Sequence, residues 1–127
     1  MKWSLNMNET QNVAMFAATL LHSATNTHFF HWSTGSFSQH KALGKYYDEI
    51  VELVDDYVEA YMGCYEQIKV FPSVYHQPKE ALKYLESLKN FVDEANADLP
   101  QKQELINIVA EIQQLIDSTI YKLKYLK

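Results

Sequence analysis

Two histidines and two acidic residues stand at spacings that could assemble a metal site. His31 and His40 are nine residues apart, and Asp55 and Glu59 are separated by about one helical turn. Imidazole nitrogens and carboxylate oxygens are ligands that iron, manganese and zinc all accept. Two of each could hold a metal ion and leave coordination positions open. These four residues are therefore the candidate metal ligands of the chain.

The helix that carries most of them prevents one chain from gathering all four. His40 and Asp55 are fifteen residues apart in what reads as one continuous helix, which separates them by roughly 22 Å at about 1.5 Å per residue. A shared metal therefore requires the histidines of one subunit and the carboxylates of another, with the long helices antiparallel about a two-fold axis. The axis would pass near Asp48 and Ile50, and the dimer would hold two equivalent sites.

Length and composition predict a small all-helical protein. The 127 residues suit a single domain over residues 1–127, and three Gly with three Pro leave little material for turns. The formal charge is −5 and arginine is absent, so nucleic-acid binding is not expected. The start lacks an apolar signal region, and no stretch reaches the roughly 18 apolar residues of a membrane span. We therefore expect a soluble cytoplasmic protein, in which the single cysteine, Cys64, is a small buried residue.

Apolar spacing and capping signals predict four helices, at about residues 9–32, 37–69, 78–96 and 100–126. Asn8 with Gln11 and Ser36 with Gln39 form capping-box patterns before the first two. The short connection between these helices predicts antiparallel neighbours with His31 and His40 at the same end. The fold class is therefore an antiparallel four-helix bundle.

The second helix carries two apolar stripes. The inward seam is predicted to hold Leu43, Tyr47, Ile50, Val54, Tyr57, Tyr61, Cys64 and Ile68. Gly44, Val51 and Val58 form the second stripe, and Asp55 and Glu59 lie along its flank. A helix with two apolar stripes usually has two partners, and the second partner here is predicted to be another subunit.

At this point the residues resemble the Dps-type miniferritins of the ferritin-like superfamily. The resemblance covers about residues 20–65 and rests on these motifs: His31-Trp32, Gly35, Phe37-Ser38-Gln39-His40, Tyr46-Tyr47 and Asp55-Asp56-Tyr57-Val58-Glu59. It implies a ferritin-like bundle that binds Fe(II) and oxidises it with peroxide or dioxygen, for iron detoxification or sequestration. It also implies that His31, His40, Asp55 and Glu59 are iron ligands of a ferroxidase centre between subunits, and that dimers could assemble into a dodecamer.

Among the departures of this chain from that family, two bear on the ligand set and on the topology. Many members carry an acidic residue where this chain has Gly44, and His28, one turn before His31, could supply the missing ligand. The crossover between the second and third helices is short, since residues 69–77 span only about 30 Å at about 3.3 Å each. Both a ferritin-like topology and a simple up-down bundle are therefore open.

Two other functions fit the same residues. The chain could be a non-catalytic ferritin-like dimer that serves as a structural or protein-interaction module, with or without a metal. Alternatively, two imidazoles and two carboxylates could bind zinc in tetrahedral form and pin the dimer, and manganese could also take the place of iron. Iron-dependent consumption of peroxide would distinguish the ferroxidase from both.

Overall fold

A computed structural model of the protein describes Trp3, residues 7–73 and residues 75–127. Within them the chain forms four α-helices: α1 (Glu9–Ser33), α2 (Phe37–Cys64), α3 (Ala81–Ala95) and α4 (Gln103–Tyr125), with a short 3-10 helix at Asn96–Asp98. This confirms the predicted all-α class and the number of helices in the described part. None of these helices has the length and apolar character needed to cross a membrane.

The first two helices begin where their capping residues predict. The Asn8 side chain accepts the Gln11 N–H at 2.9 Å, and the Gln11 side chain accepts the Asn8 N–H at 3.0 Å, so the full capping box is confirmed. Ser36 accepts the Gln39 N–H at 3.3 Å. The Gln39 side chain instead accepts a hydrogen bond from the Thr34 hydroxyl at 2.9 Å. The second capping box is therefore half formed, and the Gln39 side chain instead links α2 to the connection with α1.

The predicted end of α2 was wrong by about five residues. The helix ends at Cys64 rather than near residue 69, and the backbone leaves helical geometry at Tyr65. Ile68 is buried nonetheless, because the extended chain returns its side chain to the core. The apolar spacing in the sequence therefore extends past the end of the helix itself. The predicted starts of α3 at Pro78 and α4 at Pro100 were also early, since these helices begin at Ala81 and Gln103.

One hydrophobic core fills the space among the four helices. Its largest fully buried side chains are Tyr46, Tyr57, Tyr61, Phe16, Leu20, Leu43, Ile50, Leu85, Leu88, Leu105, Ile112 and Ile116. The predicted seam of α2 is confirmed at most positions, but Tyr46 occupies the core where Tyr47 was expected. The Tyr46 hydroxyl hydrogen-bonds the buried Ser23 hydroxyl at 2.8 Å. Burial raises the pKa of Tyr46, so this tyrosine stays neutral.

Contacts at the helix ends define how the helices are arranged. The start of α1 lies beside the end of α2, where the Thr10 and Tyr61 hydroxyls are 3.0 Å apart. It also lies near the end of α3, since Trp3 donates a 2.6 Å hydrogen bond to Asp98 in the 3-10 helix that follows α3. Each of α1 and α4 packs against both α2 and α3.

The crossover, described for residues 65–73 and 75–80, runs alongside α1 from the end of α2 to the start of α3. At its beginning Glu66 accepts a hydrogen bond from Thr10. Near its end the Asn26 side chain donates to the His76 carbonyl at 3.3 Å, and Tyr75 packs its ring edge against His22. Between these contacts Ile68 inserts into the core with 5% exposure. The crossover therefore runs along much of α1 despite its short length.

Ile68→Ala is expected to destabilise the protein by about 2 kcal/mol, because it removes a buried aliphatic side chain that fastens the crossover. Val70→Ala is the matched control: this valine is 81% exposed, and its truncation should stay within about 0.5 kcal/mol. Urea unfolding followed by circular dichroism measures both. Equal effects of the two substitutions would contradict this description of the crossover.

Candidate metal centre

A tight connection between α1 and α2 places the predicted histidines side by side. The Thr34 N–H donates to the Phe30 carbonyl at 3.0 Å and ends α1. The Thr34 hydroxyl then accepts the Ser36 N–H at 3.1 Å, and Ser36 begins the next helix. His31 in the last turn of α1 and His40 in the first turns of α2 consequently face each other. The prediction that they share one end of the hairpin is confirmed.

His31 and His40 exchange hydrogen bonds through their backbones. The His31 Nδ1 lies 2.5 Å from the His40 carbonyl oxygen, and the His40 Nδ1 lies 2.8 Å from the His31 carbonyl oxygen. The two rings are stacked, with centroids 3.6 Å apart and planes inclined by 18°. Both rings are half-buried. Each histidine is thereby held by the backbone of the other.

These hydrogen bonds assign the hydrogen positions on both rings. A carbonyl oxygen can only accept, so Nδ1 must carry the hydrogen on His31 and on His40. In the neutral imidazole the lone pair then resides on Nε2. Metal-bound histidines have this arrangement, in which the nitrogen that does not bind the metal donates to a carbonyl or carboxylate. Both residues are therefore prepared to offer Nε2 to a cation.

Gly44 provides the space in which the His31 ring lies. A β-carbon at this position would stand 3.1 Å from Cε1 and 3.2 Å from Nδ1 of His31. The sequence placed Gly44 in the second stripe of α2 and at the position of a missing acidic ligand, and neither interpretation predicted this contact. The available signal was a glycine inside a helix, which costs roughly 0.5–1 kcal/mol relative to alanine and therefore usually has a packing reason.

Aromatic rings enclose the histidine pair on one side. His28 stacks on Tyr47 with centroids 4.1 Å apart, and its ring lies 6.0 Å from that of His31. Trp32 lies 4.3 Å from His28 and is 67% exposed. Tyr47, predicted as a core residue, therefore belongs to the surroundings of the site. His28 adds a third imidazole to this end of the hairpin, near the pair without contacting its hydrogen bonds.

The predicted carboxylate ligands lie elsewhere on the surface of the same chain. Asp55 and Glu59 are exposed on α2, roughly 22 Å or more from His40 at the rise of a helix. In the described residues, no three or more histidine, cysteine or acidic side chains come together in a group that could hold a metal ion. The structure thus brings His31 and His40 together within one chain and leaves Asp55 and Glu59 apart from them.

Cys64 and His22 make contacts away from the histidine pair. Cys64 is half-buried rather than buried as predicted, and its thiol donates a 2.7 Å hydrogen bond to Glu104. That hydrogen bond, together with burial, raises the pKa of the Cys64 thiol, which disfavours the reactive thiolate. His22 lies against the crossover, where burial and the nearby His76 lower its pKa.

Fold and site together define a class of all-α protein in which two helices present a hydrogen-bonded histidine pair at one end. Residues 31–123 match the model of the family of unknown function DUF5856. Because this match covers most of the chain and includes both histidines, the protein belongs to that family. No curated protein and no solved structure matches the chain.

The hydrogen bonds predict a distinctive tautomer at two of the five histidines. In their neutral forms, His31 and His40 should both carry hydrogen on Nδ1. Long-range ¹H–¹⁵N correlation spectra distinguish the two tautomers directly, with His31→Gln and His40→Gln used for assignment. Hydrogen on Nε2 of either ring would contradict the arrangement.

Gly44→Ala should displace the His31 ring by a few tenths of an ångström, because the new β-carbon would crowd Cε1. We expect the Nδ1 hydrogen of His31 to exchange with water at least several-fold faster, because the displaced ring would hold a weaker hydrogen bond to the His40 carbonyl. Gly63→Ala is the matched control, because a β-carbon there meets nothing within 4 Å. Unchanged His31 signals in Gly44→Ala would show that the ring does not depend on this glycine.

Proposed function

We propose that this protein is a Dps-like iron-binding protein that oxidises Fe(II) with peroxide or dioxygen at a centre shared between two subunits. The observation that carries the proposal is the reciprocal hydrogen bonding of His31 and His40, which leaves both Nε2 lone pairs available in the neutral rings. A fully buried core histidine would need partners for both ring nitrogens, whereas each of these half-buried rings is hydrogen-bonded at one nitrogen. Here the satisfied nitrogen is Nδ1 in both, as in bound metal ligands.

The helix arrangement supports a ferritin-like bundle over a simple up-down bundle. The start of α1 lies near the ends of both α2 and α3, and the end of α2 lies beside the start of α4, where Cys64 contacts Glu104. In this arrangement α2 and α3 run in the same direction, which requires a crossover along the bundle. Residues 65–73 and 75–80, which are described and contain no helix, supply that connection.

The second half of the proposed centre comes from another subunit. Asp55 and Glu59 are exposed and one turn apart on α2, so both carboxylates are free to approach a neighbouring chain. An antiparallel partner helix would bring them to His31 and His40. The imidazoles would supply two nitrogens, and the carboxylates would supply oxygens that favour the higher charge of Fe(III).

The reaction that this centre would catalyse is electron transfer from iron to an oxidant. Two Fe(II) ions each give one electron to hydrogen peroxide and become Fe(III). The O–O bond breaks, and the two oxygens take up two protons to form two water molecules. The role of the protein is to bind Fe(II) as substrate and to stabilise Fe(III) with carboxylates. His28 is close enough to His31 to join the same set after a side-chain rotation, and Fe(III) retained by the protein would be sequestered.

Anaerobic titration with Fe(II), followed by peroxide, tests this function by the growth of ferric absorbance. Wild-type protein should bind Fe(II) saturably and oxidise it rapidly. His31→Ala and Asp55→Ala should each slow oxidation at least about tenfold, since loss of a supporting residue alone commonly costs that much. His22→Ala is the control and should behave as wild type. Absence of saturable binding in the wild type would contradict the proposal.

Mixing the two inactive variants tests whether the centre is shared. A mixed dimer has one site that lacks both His31 and Asp55 and one site with every ligand intact. Random exchange should therefore restore about a quarter of the wild-type sites. No recovery would contradict a centre between subunits. Tight zinc binding that stabilises the dimer, with no ferric absorbance, would favour the structural zinc alternative instead.

A further inference from the structure

The basic side chains of α2 lie near its start and the acidic ones nearer its end. This order is the reverse of the one that the helix dipole favours. The first part of the helix, Phe37–Tyr47, contains Lys41 and Lys45 and no acidic residue, whereas the part from Asp48 onward contains no lysine. The acidic residues of that second part are Asp48, Glu49, Glu52, Asp55, Asp56 and Glu59. A helix is stabilised by acidic side chains at its start and basic ones at its end. The pattern therefore has no local benefit within α2.

Apart from Lys41, whose Nζ lies 5.8 Å from the centroid of the Phe37 ring, these charges form no ion pair within the described residues. Lys41, Lys45, Glu52 and Asp56 are all exposed. The ion pairs found in the described residues, Glu80 with Lys83 and Lys89 with Asp117, join other parts of the surface. A basic half and an acidic half on one exposed helix are complementary to the same helix turned end to end.

We propose that α2 pairs antiparallel with α2 of a second copy of this chain, and that its divided charge sets the register of the pair. The inference rests on the proposed function for the antiparallel partner helix and for the position of the two-fold axis. A centre that joins His40 to the partner subunit's Asp55 and the partner subunit's Glu59 places the axis between positions 48 and 49. That axis sets Lys41 against the partner subunit's Asp56 and Lys45 against the partner subunit's Glu52.

Exposed apolar side chains on α1 and α2 provide area for such an interface. Leu21 and Trp32 of α1 and Val51 of α2 are exposed by 42%, 67% and 37%. A groove between these helices is lined by residues that include Thr25, His28 and Val51. Dimer interfaces combine an apolar centre that contains aromatic anchors with charged residues at the rim. Trp32 is the anchor that this surface offers.

The proposed register also contains one unfavourable contact. The axis brings the exposed Asp48 close to the partner subunit's Asp48, and like charges at an interface oppose association. Asp48→Asn should therefore tighten the dimer. A different register would leave Asp48 without this repulsion, so the effect reports on where the axis passes.

A charge exchange tests the pairing by sedimentation equilibrium of the whole chain in EDTA. Lys45→Glu and Glu52→Lys should each weaken dimerisation by about tenfold or more, and the double variant should return close to wild-type affinity. Lys79→Glu and Glu94→Lys, exposed and outside α2, are controls with the same charge changes and should leave the dimer unaltered. Wild-type dissociation should increase with salt, because exposed ion pairs are screened. Circular dichroism verifies that each variant is folded.

The outcomes separate this inference from the proposed function. A metal-free dimer that follows the charge exchange but does not oxidise Fe(II) would support the interface and overturn the ferroxidase. A chain that is monomeric in EDTA and dimerises only with Fe(II) would overturn the electrostatic pairing and leave the ferroxidase standing. Failure of the double variant to recover would also overturn the pairing.

Discussion

The exchange of hydrogen bonds between His31 and His40 is the contact on which the candidate site depends. The last carbonyls of a helix have no partner within it. In α1 one of these, the carbonyl of His31, receives the Nδ1 hydrogen of His40. The reverse bond ties the His31 ring to α2. The contacts that close the hairpin are thus the same ones that orient both Nε2 atoms.

Several local features must agree for this exchange to occur. The connection must be short enough to bring the two helix ends within hydrogen-bond distance, and Thr34 achieves this by ending α1 and bonding to Ser36. The neighbouring surface of α2 must also leave space for the His31 ring, and Gly44 leaves it because it has no side chain. Glycine destabilises the helix at position 44 relative to alanine, but it leaves the space that the His31 ring occupies.

Sequence reasoning predicted the elements better than the atoms of the site. Capping pairs such as Asn8 with Gln11 and the apolar periods determine where most helices begin, because both act over a few residues. Ile68 misled the prediction of the end of α2, since burial from an extended segment has the same apolar signature as burial from a helix. The partners of the two histidines are backbone carbonyls, which every residue type presents. The hairpin predicted that the two histidines lie close together, whereas only the folded structure shows their hydrogen bonds.

A difference in rigidity between the two halves of the proposed centre bears on the choice of metal. Stacking and two hydrogen bonds hold His31 and His40 in place, whereas Asp55 and Glu59 are exposed on α2. A structural zinc site is closed and tetrahedral, with every ligand held. Iron that changes oxidation state instead benefits from carboxylates that can adjust their coordination as positive charge increases. Fixed nitrogens on one subunit and adjustable oxygens on the other therefore suit the proposed iron chemistry better than a zinc clasp.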